Sequence, residues 1–270
     1  MTKVDTVDPK SIAVHEHESW QGAAPIYADH LAALTALSGQ CELVLEVAKI
    51  GRESAVLDVG CGPGLLTVQL ASFAQRAVGI DFSANMVAEA KSRFPELEFH
   101  EMDAENTLFD DHSFDCVVVN YCAHHLARPE VAFEELRRIL KPGGQIVIVH
   151  PIQSRQASWG SFAKAMMEEL PPETIPSGPL LDVEQPAEYV SLLNSCGFTN
   201  SKCETRLKPV NLASADTLLN SAWAVTNLGN QPEDVQARIR AGTSANLASY
   251  KQDDGSFELP DEVLLAWAEK

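Results

Sequence analysis

The sequence is short of positive charge. Its 20 Lys and Arg face 38 Asp and Glu, giving a net charge of −18. A surface that holds phosphates needs clusters of Lys and Arg, and none stands out. Nucleic acid and anionic membrane are therefore not expected as partners, and the excess acid reads as a device for solubility. Long apolar runs are also missing. Nothing approaches the roughly 18 uninterrupted apolar residues of a membrane span. Residues 1–20 are polar and acidic, without the apolar stretch of a secretory leader. The cysteines at 41, 61, 116, 122, 196 and 203 include no Cys-x-x-Cys pair, so neither a structural zinc site nor another metal is expected. These absences together predict a cytoplasmic protein with reduced thiols.

What is present suits one substantial core, or a core with a smaller lid: 270 residues, 45% of them apolar. Residues 1–20 read as a mobile arm. Residues 24–50 read as helical, with a break at Ser38-Gly39. From Ala55 the pattern changes to short apolar runs alternating with amphipathic segments. Strands are expected at 55–59, 77–81, 97–102, 114–121 and 145–149, and helices at 65–73, 84–93 and 130–140. Ser83 stands where it can cap the second of these helices and Pro129 where the third begins. Lys141-Pro142-Gly143-Gly144 reads as a tight turn. The uninterrupted Val and Ile runs predict a parallel sheet covered on both faces. Beyond Pro151 come a helix at 157–170, a proline-rich stretch at 171–186, a helix at 187–195, a strand at 198–207, two helices within 213–250 and a last apolar strand around 263–267.

The most informative stretch is Val56-Leu57-Asp58-Val59-Gly60-Cys61-Gly62-Pro63-Gly64. A strand runs into a glycine turn and then into a helix. Glycines let a ligand approach the backbone, and the helix start offers unpaired N–H groups. A dinucleotide fingerprint G-x-G-x-x-G fails here, because Leu65 takes the place of its third glycine. Cys61 reads as a small filler in the turn.

This stretch resembles the first motif of class I S-adenosylmethionine-dependent methyltransferases, in particular the ubiquinone/menaquinone methyltransferase-like, small-molecule group. The resemblance continues in order along residues 55–150. It takes in Gly79-Ile80-Asp81-Phe82-Ser83, Met102-Asp103-Ala104, the segment from Phe114-Asp115 to Ala123-His124-His125-Leu126, and Leu140-Lys141-Pro142-Gly143-Gly144. Residues 196–207 and 257–268 resemble the family's sixth and seventh strands.

The resemblance implies an α/β fold with a Rossmann-like seven-stranded, mostly parallel sheet and helices on both faces. It also implies an N-terminal arm and helical flap (1–50), a cofactor-binding core (51–207), a helical lid insertion (208–256) and a final core strand (257–270). The implied cofactor is S-adenosylmethionine, bound by Asp58, Gly60, Cys61, Gly62, Gly64, Asp81, Phe82, Met86, Asp103, Ala104, Asn120, Tyr121 and His125. Asp81 would hold the two ribose hydroxyls and Asp103 the exocyclic amine of adenine.

Methyl transfer is an in-line displacement from an activated sulfonium, so positioning the acceptor and excluding water are the main demands. The candidates for catalysis are His125, Tyr27 and His30, the last two lying three apart on one helix face. Tyr27, His150, Trp159, Phe162, Met166 and Trp223 are the candidates for an apolar acceptor pocket. The expected partner is a small-molecule methyl acceptor in secondary metabolism, attacking through O, N or C, and a homodimer is the expected assembly. The competing readings are an enzyme of the same fold that uses the cofactor without transferring its methyl group (a cyclase or eliminase), a protein methyltransferase, and a non-catalytic binding module.

Overall fold

The short apolar runs become the strands of one sheet. In a computed structural model, residues 8–31, 40–170 and 178–270 are described. The seven strands are β1 (Ala55–Val59), β2 (Arg76–Asp81), β3 (Glu98–Glu101), β4 (Phe114–Asn120), β5 (Leu140–Pro151), β6 (Thr199–Leu212) and β7 (Phe257–Glu269). They lie in the order β3-β2-β1-β4-β5-β7-β6. The first five pair in parallel, and β7 is inserted antiparallel between β5 and β6. The order reverses between β1 and β4, the point at which open α/β sheets bind ligands beyond the strands' carboxyl ends.

Alternation along the strands divides the core. Leu57, Val59, Val117, Val119, Ile146 and Ile148 face one side, against Ala132, Phe133, Leu136 and Ile139 of α5 (Pro129–Ile139) and Tyr189 and Leu193 of α7 (Pro186–Ser195). Val56, Val118, Val147 and Val149 face the other. There they meet Cys41, Leu43 and Val44 of α2 (Gln40–Val47) and Leu66 and Leu70 of α3 (Leu65–Leu70). α4 (Ala84–Arg93) is capped by Ser83, whose hydroxyl oxygen accepts from the Met86 N–H. Lys141 to Gly144 loop out of the β4–β5 ladder, with Gly143 at φ 76°, where an L side chain is strained.

Two expectations are corrected. From Pro9 onward the presumed arm is helix: α1 runs Pro9–Leu31. It lies against α4 and α8 (Ala215–Val225). Ile12 and Ala24 are buried, and tertiary packing rather than an apolar stripe makes the segment helical. Residues 1–7 and the break expected at Ser38-Gly39 lie outside the described residues. β6 also runs to Leu212, five residues past the strand expected there. α6 (Ala157–Glu169), α8 and α9 (Glu233–Leu247) then enclose a separate apolar core with the ends of β6 and β7.

Among the described residues no helix is long and apolar enough to cross a membrane. No group of three or more His, Cys, Asp or Glu there could hold a metal ion.

Candidate functional site

The glycine turn after β1 builds the floor of the site. Gly60, Gly62 and Gly64 have φ of 67°, 51° and 83°. A Cβ on Gly60 would stand 2.7 Å from Cys122 Cβ, and one on Gly64 would stand 2.8 Å from the Phe99 ring. Side chains are thus excluded twice, by backbone conformation and by space. Gly60→Ala is expected to lower stability by about 1–3 kcal/mol in chemical denaturation. The double variant with Cys122→Ala should recover only the part of the steric share due to Sγ, since Cys122 Cβ stays, and none of the share due to φ.

Two carboxylates flank the turn. Asp81, ending β2 and 7% exposed, accepts the Gly62 N–H and the Ser83 N–H, each at 2.9 Å. These bonds spend one lone pair on each oxygen and leave others aimed outward. Burial pushes its carboxyl above the ordinary value, against the pull of the two N–H groups. Asp58, on β1, is 2% exposed and accepts the Thr67 hydroxyl at 2.6 Å. Burial pushes Asp58 up to about 7.

The opposite wall comes from β4 and the turn after it. Asn120 closes the strand, and Tyr121 follows at φ 50°, a left-handed conformation that is costly for an aromatic residue. His125 sits in a short 3-10 turn (Ala123–His125). Its Nδ1 lies 2.8 Å from the Glu16 carboxylate, and its ring meets the Trp20 ring edge-on at 5.2 Å. Trp20 also donates to Glu16 at 3.1 Å and packs edge-on against Tyr27. Burial pushes the Tyr27 phenol up to about 12, so at neutral pH it is a hydrogen-bond donor rather than a base. α1 therefore roofs the site. Gln21 clips it to the start of α4, its side-chain oxygen accepting from Ser83 Oγ and the Asn85 N–H.

These walls frame an inner cleft whose free space, counted out to open solvent, is about 700 Å³. It is lined by Asp58, Gly60, Cys61, Gly62, Asp81, Phe82, Met86, Asn120, Tyr121 and His125, with Trp20 and Tyr27 on the α1 side. Through Gly60, Asp81, Phe82, Cys122 and His125 it opens into an outer cleft along the ends of β2 and β3, where Met102, Asp103 and Ala104 line one side and α1 the other. Of the cofactor residues named from sequence, only Gly64 lines neither cleft. It shapes the turn instead. Asp103 is exposed, and one of its oxygens accepts the Glu105 N–H.

The acceptor-pocket expectations fare differently. Phe162 is fully buried, with Trp159, Met166 and Trp223 packed around it in the core beneath α6, α8 and α9. None of the four lines either cleft, so the aromatic stripe is corrected from pocket lining to the core that α6, α8 and α9 share. Its rings face inward because amphipathic helices need a buried face of their own. His150 is likewise fully buried, hydrogen-bonded to the Tyr189 hydroxyl at 3.0 Å, and burial pushes it down to about 4. It lies behind His124 rather than in the cleft. The side chain of His30 lies outside the described residues. The sequence reading missed Glu16, Trp20, Gln21 and Gln40. Glu16 and Trp20 belong to the segment read as an arm.

Residues 57–148 match the family described as "Methyltransferase domain". These residues carry the likeness to methyltransferases. The chain is 36% identical over 107 residues to a demethylmenaquinone methyltransferase of Paenarthrobacter aurescens, covering 38% of this chain and 42% of that one. For three of the curated relatives the match spans 38–50% of their length, less than two thirds. The chain has the fold of the YcgJ protein of Bacillus subtilis (TM-score 0.57, 20% identity, 86% of this chain and 98% of that one). The same fold occurs in the [4+2]-cyclase SpnF (TM-score 0.52, 18% identity, 85% and 80%). It is the Rossmann-like methyltransferase fold expected from the sequence.

Proposed function

We propose that this chain transfers a methyl group from S-adenosylmethionine to a small, partly apolar metabolite. The carrying observation is the joining of Asp81 and the glycine turn with Asn120 and His125 in one cleft at the point where strand order reverses. When bound, the cofactor supplies a methyl group on a positively charged sulfur. The free lone pairs of Asp81 suit the two ribose hydroxyls. Met102, Asp103 and Ala104 suit the adenine. Asp58 and Asp81 give the cleft the negative field that a sulfonium and an ammonium require.

The residues of this chain then have three tasks. Trp20 and Tyr27 close the inner cleft from the α1 side and keep water out. Glu16 holds the His125 ring beside the cleft. Tyr27 stays protonated and donates to a bound oxygen or nitrogen. The narrow inner cleft and the acidic surface support a small molecule rather than a polyanion or a peptide.

Calorimetry with S-adenosylmethionine and with S-adenosylhomocysteine tests the reading. Both are expected to bind with one site per chain. Release of S-adenosylhomocysteine on turnover distinguishes transfer from use of the cofactor as a fixed charge. A protein that binds neither compound is not this enzyme.

A further inference from the structure

The wall of the inner cleft nearest β5 carries a paired amide that no motif of the sequence marks. Asn120 donates from Nδ2 to Gln40 Oε1 at 2.8 Å. Gln40, the first residue of α2, is 2% exposed, and its side chain also hydrogen-bonds to Tyr121. The Asn120 amide plane is therefore fixed from behind. Its other atom, Oδ1, is buried and has no partner among the described residues, although Asn120 lines the cleft.

A buried carbonyl oxygen left unpaired is costly, and such an atom in a cleft marks where a donor from a ligand is expected. The charges around it narrow the choice of donor. The described lining of the inner cleft includes Asp58 and Asp81 and no Lys or Arg. That field favours a neutral or cationic N–H and repels a carboxylate or phosphate placed beside it.

Resting on the reading of the cleft as a methyltransferase site, we propose that Asn120 Oδ1, held by Gln40, receives an N–H of the methyl acceptor, which is an amine. An amine offers an N–H and a lone pair at the same atom. The N–H bond to Oδ1 turns the lone pair toward the methyl carbon. The nitrogen lone pair then forms the new N–C bond. The C–S bond breaks with its electrons going to sulfur, and the resulting ammonium gives a proton to water. A neutral amine needs no base for this step, and one that arrives as ammonium first gives a proton to water. Asn120 is a binding residue here, and Gln40 is a positioning residue acting through it.

Sinefungin tests this without knowledge of the acceptor, because it carries an amine-bearing carbon in place of the methylsulfonium. Calorimetry should show sinefungin binding about tenfold or more tighter than S-adenosylhomocysteine. Asn120→Leu and Gln40→Leu should remove most of that advantage, the loss for sinefungin exceeding any loss for S-adenosylhomocysteine about tenfold. Gln40→Glu, which keeps an oxygen for Asn120 Nδ2, should retain it. An advantage unchanged in both leucine variants overturns the proposal. So does an equal loss of both ligands, which would make the pair scaffolding of the pocket. Failure of the unaltered protein to bind S-adenosylhomocysteine at all overturns the methyltransferase reading instead.

Discussion

Asp81→Ala is expected to weaken S-adenosylmethionine binding at least about a hundredfold in calorimetry. The carboxylate would accept two ribose hydroxyls, and hydrogen bonds to a charged group each contribute about 1.5–3 kcal/mol. The same side chain accepts the Gly62 and Ser83 N–H groups, so its loss also releases the glycine turn and the start of α4. Asp81→Asn separates the two effects. The amide keeps one oxygen for the backbone and loses the charge, so it should bind more tightly than Asp81→Ala and more weakly than the unaltered protein. An Asp81→Ala protein that binds within a few-fold of normal would remove the ribose role.

The second large effect concerns protons. Burial raises Asp58 from its ordinary value near 3.8 to about 7. Between about pH 4 and 7 the folded protein then holds a proton that the unfolded chain has already released. The contribution of Asp58 to stability therefore falls as pH rises through that window, by about 4 kcal/mol for a shift of this size. Asp58→Asn removes the dependence. Measured by denaturation across pH, the variant should gain on the unaltered protein from pH 4 to 7 and hold level above. His150, which burial depresses to about 4, contributes with the opposite sign, its stabilisation being lost as pH falls below its unfolded value. It is common to both proteins and cancels in the difference. A bound cation favours ionised Asp58, so affinity for S-adenosylmethionine should rise toward pH 7 by up to about tenfold per unit. Parallel stability curves for the two proteins would show that Asp58 ionises normally.

The residues that meet in the clefts were legible where they are local. The turn at 60–64 and Asp81 each close a strand with an uninterrupted apolar run, Asp103 follows the shorter, mixed strand Glu98–Glu101, and a parallel sheet brings these strand ends to one edge. What was illegible depends on packing between distant segments. Residues 9–20 carry no apolar stripe. Of that stretch Ile12 is buried, while Glu16 and Trp20 acquire a role only when α1 reaches His125. Gln40 looks like any polar residue at a helix start until Asn120, eighty positions away, is found beside it. The stripe at Trp159, Phe162 and Met166 was visible, but periodicity tells which residues share a face and not what that face meets.

The place of β7 has a consequence for how the chain is built. It lies between β5 and β6, so half of the ladder at that side of the sheet is missing until residue 269 has left the ribosome. Until then β5 presents a long apolar edge and β6 has no neighbour, both ready to pair with another chain. Helices α6, α8 and α9 are made before β7, and the core they share with Leu259 and Phe257 cannot close without it. Nascent chains that still lack β7 should therefore depend on chaperones, with the acidic surface holding them apart in the interval.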